Sequence, residues 1–469
     1  MLQKLTNSES VAIISLLAFK LCEATEFCVS KDNIIADKDI KIASLEAALA
    51  QKSHPKNSGN SSLPPSSDFA PPKRNQSLRV KSDKIAGAQL GHRGHTLQMK
   101  AHADVFVRHD APCVCAECGN DLTNVAQQFL ERRQVVDIPP VTAVYTEHSI
   151  YSKTCNCGHV TKSSFPPGIN SLIQYGPNVE STAAYMHARQ YIPFDRMGEF
   201  FNDVMGIPIC AGSIVNMIKR FADKAKPVYE SIKTGIEQAP CIGSDETGAK
   251  ENGKKIWFWT WQNSKLTYIV YSPSRGYCTI ESEFPNGLSN TILVHDRWAA
   301  QIKCPAQNHQ ICTAHLLRDL NFVEQCDQSQ WATDFKYLIK DALLLDEQLN
   351  DNEYALPNAR RDELENKLQI LLEQPLPAKQ DKAISLQKSL SKIKDYIFLF
   401  LHYAIVPPDN NGSERAIRNV KVKQKVSGQF KSEEGAKTFA IIRSIIDTAL
   451  KAGKDVFNEL FLIANLASG

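Results

Sequence analysis

Three carboxylates carry the chemistry that this sequence suggests. Asp245 sits in Ile242-Gly243-Ser244-Asp245-Glu246-Thr247-Gly248, where an apolar entry leads straight into an acid. A lone buried carboxylate is costly unless it is paired or holds a cation. Its neighbour Glu246 falls on the other face of the same strand, so the two are not expected to act together. Thr291-Ile292-Leu293-Val294-His295 reads as a buried strand with Asp296 at its end. Pro407-Pro408-Asp409-Asn410-Asn411-Gly412-Ser413-Glu414-Arg415 opens a helix, capped by Ser413 or Asn411, with Glu414 in its first turn. Acids from two strands and one helix can converge on a pair of Mg2+ ions. Such ions take carboxylate oxygens and, roughly 4 Å apart, clamp the attacking and leaving oxygens of a phosphodiester. Periodicity alone favours a plainer account, two strand-end turn acids and one solvated helix acid.

The residues around each acid reverse that preference. Asp245-Glu246-Thr247-Gly248, His295-Asp296-Arg297 and Asp409-Asn410-Asn411-Gly412-Ser413-Glu414-Arg415-Ala416-Ile417-Arg418 resemble the three signatures of DDE transposases of the bacterial insertion sequence 66 family. The resemblance runs from about Asn57 onward and is most specific around Glu414. It implies an α/β, RNase H-like core that cleaves DNA at transposon ends and transfers the strand into target DNA. Asp245, Asp296 and Glu414 would then be the catalytic ligands of Mg2+ or Mn2+. Cys312-x-x-His315 resembles a Cys/His pair of several DDE families, so His315 either contacts DNA or is a satisfied core histidine. Two rivals are a non-catalytic, zinc-containing DNA-binding protein derived from a transposase and a host nuclease. The presence of all three acids counts against the first rival.

The elements that must position these acids can be read from pattern. Trp257, Trp259 and Trp261 alternate with Ile256, Phe258 and Thr260, and Leu266 to Tyr271 runs apolar, as in a β-meander. Trp331 to about Leu401 reads as a helical insertion, with Phe335, Leu338, Ile339, Ala342 and Leu343 on one face and Leu386, Leu390, Ile393 and Ile397 on another. It separates Asp296 from Glu414 by 118 residues, against 51 between the aspartates. The longer loop is tolerable because closure cost grows only logarithmically. After Glu414, base and apolar residues alternate from Val420 to Val426. One side is expected to pack while Arg415, Arg418, Lys421, Lys423 and Lys425 hold DNA phosphates. Phe439, Ile442, Ile446 and Ala449 mark a closing amphipathic helix.

Upstream, Val179 to Tyr191 and Phe194 to Met205 read as helices, and Ser213 caps a third carrying Ile214, Met217, Ile218 and Phe221. The arrangement is helix-turn-helix-like, or simply a helical subdomain. Cys115-x-x-Cys118-Gly119 and Cys155-x-Cys157-Gly158, 36 residues apart, suit a structural Zn2+ site, with Cys113, His109 or His159 as possible substitutes. The glycines allow the tight turns such a site needs.

The domains expected are a helical, possibly coiled-coil segment (1–50), a basic Ser/Pro linker (51–100), a zinc-binding domain (101–168) and a helical DNA-binding domain (169–238). The core follows (239–330), then the insertion (331–402) and the Glu helix with C-terminal helices (403–469). Net charge is only +3, but residues 415–443 hold eight Lys/Arg against Glu433 and Glu434. That clustering, rather than total charge, points to nucleic acid. Thirteen scattered cysteines argue for a reducing compartment, and the apolar run Val11 to Cys22 is too short to span a bilayer. A cytoplasmic protein is expected, with transposon-end and target DNA as partners. The resemblance adds a homo-oligomer on DNA and accessory transposon-encoded proteins.

Overall fold

The structure is a computed structural model. It describes residues 97–139 and 141–466, Asn60, and parts of a helical stretch between 20 and 42. In that stretch Ile35 and Ile42 are 55% and 52% exposed. Leu45, Leu49 and the linker apart from Asn60 and residues 97–100 lie outside the described residues. Asn60 is buried and donates to Gln325 Oε1 at 2.8 Å. The chain divides into two compact units. The smaller runs to Glu147 and adds Phe200–Pro208, and the larger includes His148–Glu199 and Ile209–Gly469. No described helix is long and apolar enough to cross a membrane.

The larger unit is built on a five-stranded sheet. Its strands are β3 (Cys241–Glu251), β4 (Lys254–Gln262), β5 (Thr267–Ser272), β6 (Leu288–His295) and β7 (Ala306–Ile311), in the order β5-β4-β3-β6-β7. The expected meander is present: β3, β4 and β5 pair antiparallel. β6 runs parallel to both β3 and β7. Parallel pairing puts the ends of β3 and β6 at one edge and requires helical crossovers that cover the sheet. Both faces are accordingly apolar: Phe258, Trp259 and Trp261 are fully buried although they alternate along β4. A short hairpin, β1 (Ser152–Thr154) with β2 (Val160–Lys162), precedes this sheet.

The helices before the sheet belong to the same compact unit. They are α1 (Pro177–Ala188), α2 (Phe194–Met205), whose last residues fall in the smaller unit, and α3 (Ala211–Glu237). α3 continues 27 residues through Pro227, and Ile214, Met217, Ile218 and Phe221 are buried as the spacing required. Its N-cap is Cys210, not Ser213, which lies inside the first turn with its Oγ 3.3 Å from Cys210 Sγ. α1 and α3 pack on the C-terminal helices rather than forming a domain of their own: Lys224 binds Glu180 and the carbonyl of Ala464, each at 2.8 Å.

Two short helices, α4 (Tyr277–Glu283) and α5 (Ala299–Ile302), flank β6, and α6 (Thr313–Asp327) leaves β7. The insertion holds α7 (Gln330–Gln348), α8 (Ala359–Glu373) and α9 (Asp381–Ser391), whose apolar stripes share one core with Ile292, Val294 and Ile311 of the sheet. α10 (Asn411–Ser427), α11 (Glu433–Lys451) and α12 (Val456–Ala464) close the chain. Edge strand β5 is satisfied by α11: the amides of Ile269 and Thr267 donate to Ser444 Oγ and Thr448 Oγ1 at 2.9 and 3.1 Å.

Candidate active site

Asp245 stands midway along β3 and is half-buried. Its carboxyl is held well above its ordinary range, first by burial, then by the negative charge of Asp296, with Glu246 and Glu414 adding to it. Asp296 follows β6 immediately, and its Oδ1 accepts the Trp298 amide at 3.3 Å. Three carboxylates from β3, the end of β6 and α10 thus share one electrostatic neighbourhood.

The turn carrying Asp296 is braced from behind. His295 is fully buried, its Nδ1 accepts the Arg297 amide at 3.1 Å, and its Nε2 lies 3.0 Å from His309 Nδ1. Burial, aided by His309 and Arg297, pushes the His295 pKa down to about 3, so the ring is neutral. Arg297 adopts φ 71° and pairs with Asp319. A positive φ on a long side chain is a position that the surroundings must enforce.

Glu414 occupies the first turn of α10, as expected, 3.4 Å from both His315 Nε2 and Arg318 Nη1. His315 is 7% exposed and its Nδ1 has no partner among the described residues. Burial lowers its pKa, and Asp296 is the strongest influence in the other direction. His315 therefore sits at the acid cluster and is not a satisfied core histidine.

The cap differs from expectation: Asn410 is the N-cap, and neither Ser413 nor Asn411 fills that role. Asn410 donates Nδ2 to Ser244 O at 2.7 Å, accepts Ser413 Oγ at 2.6 Å, and its amide meets Cys312 Sγ at 3.2 Å. It is spent on docking the helix to β3 instead of closing its first turn. The approach is close. A Cβ at Gly243 would lie 2.5 Å from Asn410 Oδ1, and one at Gly412 would lie 2.5 Å from Gln262 Nε2.

Glu246 lies on the far face of β3, as alternation requires, but it is 9% exposed rather than solvated. Its Oε1 accepts Arg275 Nε and Nη2 at 2.8 and 2.6 Å, and Gln301 Nε2 lies 3.4 Å from Oε2. The Arg275 guanidinium is 3.8 Å from the ring centre of Trp298 and 5.0 Å from that of Trp257. Burial first and Asp296 second still push Glu246 up to about 7, against the pull of Arg275.

The five basic residues of the helix do not share a face. Glu414, Arg418, Lys421 and Lys425 follow helical spacing along one stripe, whereas Arg415 falls on another with Gly412, Ala416 and Asn419. Lys421 is half-buried and donates to the Gly248 carbonyl. Lys423 is placed differently from the expected phosphate contact: it is 6% exposed, lies 5.9 Å from the Phe194 ring, and burial pushes its pKa down to about 8. A period-two pattern of lysines winds around a helix of 3.6 residues per turn, so alternate lysines must point in different directions.

Each cysteine pair forms a turn of its own. Cys115 O accepts the Gly119 amide at 3.0 Å, and Cys155 O accepts the Gly158 amide at 2.9 Å, with φ of 73° and 87° at the glycines. Hydrogen bonds from the Cys118 amide, above all, lower the pKa of Cys115, and the Cys157 amide does the same for Cys155. Among the described residues no three His, Cys, Asp or Glu side chains are gathered tightly enough to share a metal ion as they stand.

Comparison with known protein families decides the identity. The family model "Transposase IS66 family" matches residues 173–438, more than half of the 469-residue chain. The chain belongs to the IS66 transposase family. The zinc-finger binding domain of transposase IS66 matches residues 112–158, which contain both cysteine turns, and a family of unknown function matches residues 31–98. No curated protein matches the chain. In this IS66-family transposase, sequence reasoning overlooked Arg318, Arg275, Gln262 and the docking role of Asn410. The only local signal was the Asn410-Asn411-Gly412-Ser413 run, whose glycine and short polar side chains suit a close helix–strand approach.

Proposed function

We propose that this chain is a DDE-type transposase that cleaves DNA at transposon ends and joins the freed strand to target DNA, with an RNase H-like core. The observation that supports the reading is the placement of Asp245: it is held just past the paired β3–β6 segment, where burial first, and then the negative charge of Asp296, Glu246 and Glu414, keeps its carboxyl well above the ordinary range. A set of carboxylate oxygens whose negative charge is only partly met, by Arg318 at Glu414 and Arg275 at Glu246, suits hard divalent cations. Asp245, Asp296 and Glu414 would hold Mg2+ or Mn2+, which when bound supplies Lewis acidity to the attacking and leaving oxygens of the phosphodiester. The sheet order, with β4 the one antiparallel strand among the five, supports the RNase H-like assignment.

The chain's own residues then have distinct tasks. The parallel register of β3 and β6 puts Asp245, midway along β3, level with Asp296 just past β6, and Asn410 docks the start of the Glu414 helix on β3. His315 and Arg318 hold the Glu414 carboxylate, and Arg275 restrains Glu246 on the far face. Arg418 and Lys425, exposed on the Glu414 stripe, lie where a DNA backbone entering the site would need positive charge. Cys115, Cys118, Cys155 and Cys157 would ligate a structural Zn2+, since their turns favour thiolate. The described cysteines are all free thiols, which suits a cytoplasmic protein working on DNA. DNA ends and target, with further copies of the chain and accessory transposon-encoded proteins, would be its partners.

The test is end cleavage in Mg2+ by purified wild type and Asp245→Asn. The variant is expected to bind transposon-end DNA within about twofold of wild type. It should lose at least roughly a thousandfold in cleavage rate. Wild-type cleavage by the variant would refute the assignment.

A further inference from the structure

The helix that carries Glu414 has a second functional face. On the side away from Glu414 lies a cavity of about 740 Å³ in the larger unit, lined by Arg189, Arg415, Arg443 and Lys451 together with Asp409 and Asp447. None of the three catalytic acids lines it.

Its charge is unbalanced. Asp447 is engaged by Arg443, and Asp409 by the backbone and side-chain nitrogens of Asn411. Arg189 and Arg415 have no ion-pair partner among the described residues, although both reach the cavity. Lys451 is fixed at its edge by the neutral acceptors Gln262 Oε1, Asn263 O and Leu266 O at 2.6–2.8 Å, and Asp447 is the acid that acts on its charge. Burial pushes that lysine down to about 8, with Asp447 opposing the shift and Arg415 adding a smaller push in the same direction as burial.

The wall also holds polar atoms that want a partner. Arg443 is 1% exposed, and its Nε makes no hydrogen bond. Thr267 is fully buried, lines the same cavity, and its Oγ1 has none either. Asp447 Oδ2 on the same wall is likewise unpartnered, and buried polar groups left unpaired are costly.

We propose that this cavity binds a nucleotide through its phosphate. Two open guanidiniums present the forked donors that a phosphate accepts. The volume exceeds the needs of a lone phosphate and falls within the range of small-ligand pockets, roughly 300–1,000 Å³. Ile405, Pro407 and Leu450 give an apolar wall for a base. Gly243, Asn410 and Gly412 also line the cavity, so an occupant touches the junction that sets Asp245 and Glu414. The nucleotide could be free in solution or the unpaired end of a DNA strand, since the phosphate and base are the same. The inference does not depend on the catalytic reading.

The experiment is calorimetric titration of the full-length protein with dTMP, thymidine, inorganic phosphate and a 5′-phosphorylated thymidine pentamer. dTMP is expected to bind at least roughly tenfold more tightly than thymidine. Arg189→Ala and the milder Arg189→Gln should each weaken dTMP by about tenfold or more, one charged hydrogen bond's worth, with unchanged thermal unfolding. Asp245→Asn should leave dTMP binding intact, so a failure of catalysis and a failure of this site remain distinguishable. A pentamer that binds more tightly than dTMP and is displaced by it identifies a strand end as the ligand, and the reverse order identifies a free nucleotide. No dTMP binding at about 1 mM, or binding indifferent to both Arg189 variants, overturns the proposal.

Discussion

At the residue scale the site is a problem of like charges. Asp245 and Glu246 leave opposite faces of one strand, yet both have raised pKa values and both feel Asp296. A carboxyl whose folded pKa is raised contributes stability that is complete below the unfolded pKa and lost as pH rises through the folded one. For Glu246 that window runs from 4.5 to about 7, so at about 1.4 kcal/mol per unit its ionisation costs the fold on the order of 3 kcal/mol. Glu246→Gln, which keeps an acceptor for Arg275, is therefore expected to match wild type at about pH 4 and to melt roughly 3–5 °C higher at about pH 8. Thermal melts across pH measure that difference, and a constant offset would mean that Glu246 does not titrate there. At the higher pH, Mg2+ should raise the melting temperature of wild type but not that of Asp245→Asn, because only a site that binds the ion gains by mass action.

At the element scale the decisive joint is that between β3 and α10. Asn410 reaches across to Ser244, and two glycines let the helix end approach the strand. Gly412→Ala would drive a methyl into Gln262, which must move or push the helix away. The expected cost is about 1–3 kcal/mol in denaturant unfolding, with end cleavage falling by a larger factor because Glu414 follows the displaced turn. Unchanged cleavage at that stability cost would show that the joint does not position the acid. The same element explains the misplaced lysine. Val420 to Val426 reads as alternation, but tertiary packing made it helix and buried Lys423.

At the scale of the whole molecule, long insertions and separate modules are tolerated because each completes its own packing. The insertion between Asp296 and Glu414 closes a core with Ile292, Val294 and Ile311, so it is part of the same packed body as the sheet. Zinc binding is the corresponding expectation for residues 112–158. Elemental analysis of purified protein should find about one zinc per chain, lost together with metal affinity in Cys118→Ser. Zinc-free protein that keeps the full amide-exchange protection of the holo-protein at both cysteine turns would remove the site.

The sequence by itself determined where the acids would stand, because a strand end and a helix start announce themselves locally through apolar runs, prolines and short polar residues. Asp245 in β3, Asp296 after β6 and Glu414 in the first turn of α10 were all legible in that way. The β-meander and the buried stripe of α3 were legible too, since periods of 2 and 3.6 are properties of the chain alone. Only the tertiary structure decided what surrounds those positions: Arg318 and His315 on Glu414, the histidine pair behind Asp296, and the basic cavity on the reverse of the helix. Those contacts join residues tens to hundreds of positions apart, and no local pattern records which distant side chain a fold will bring within hydrogen-bonding reach.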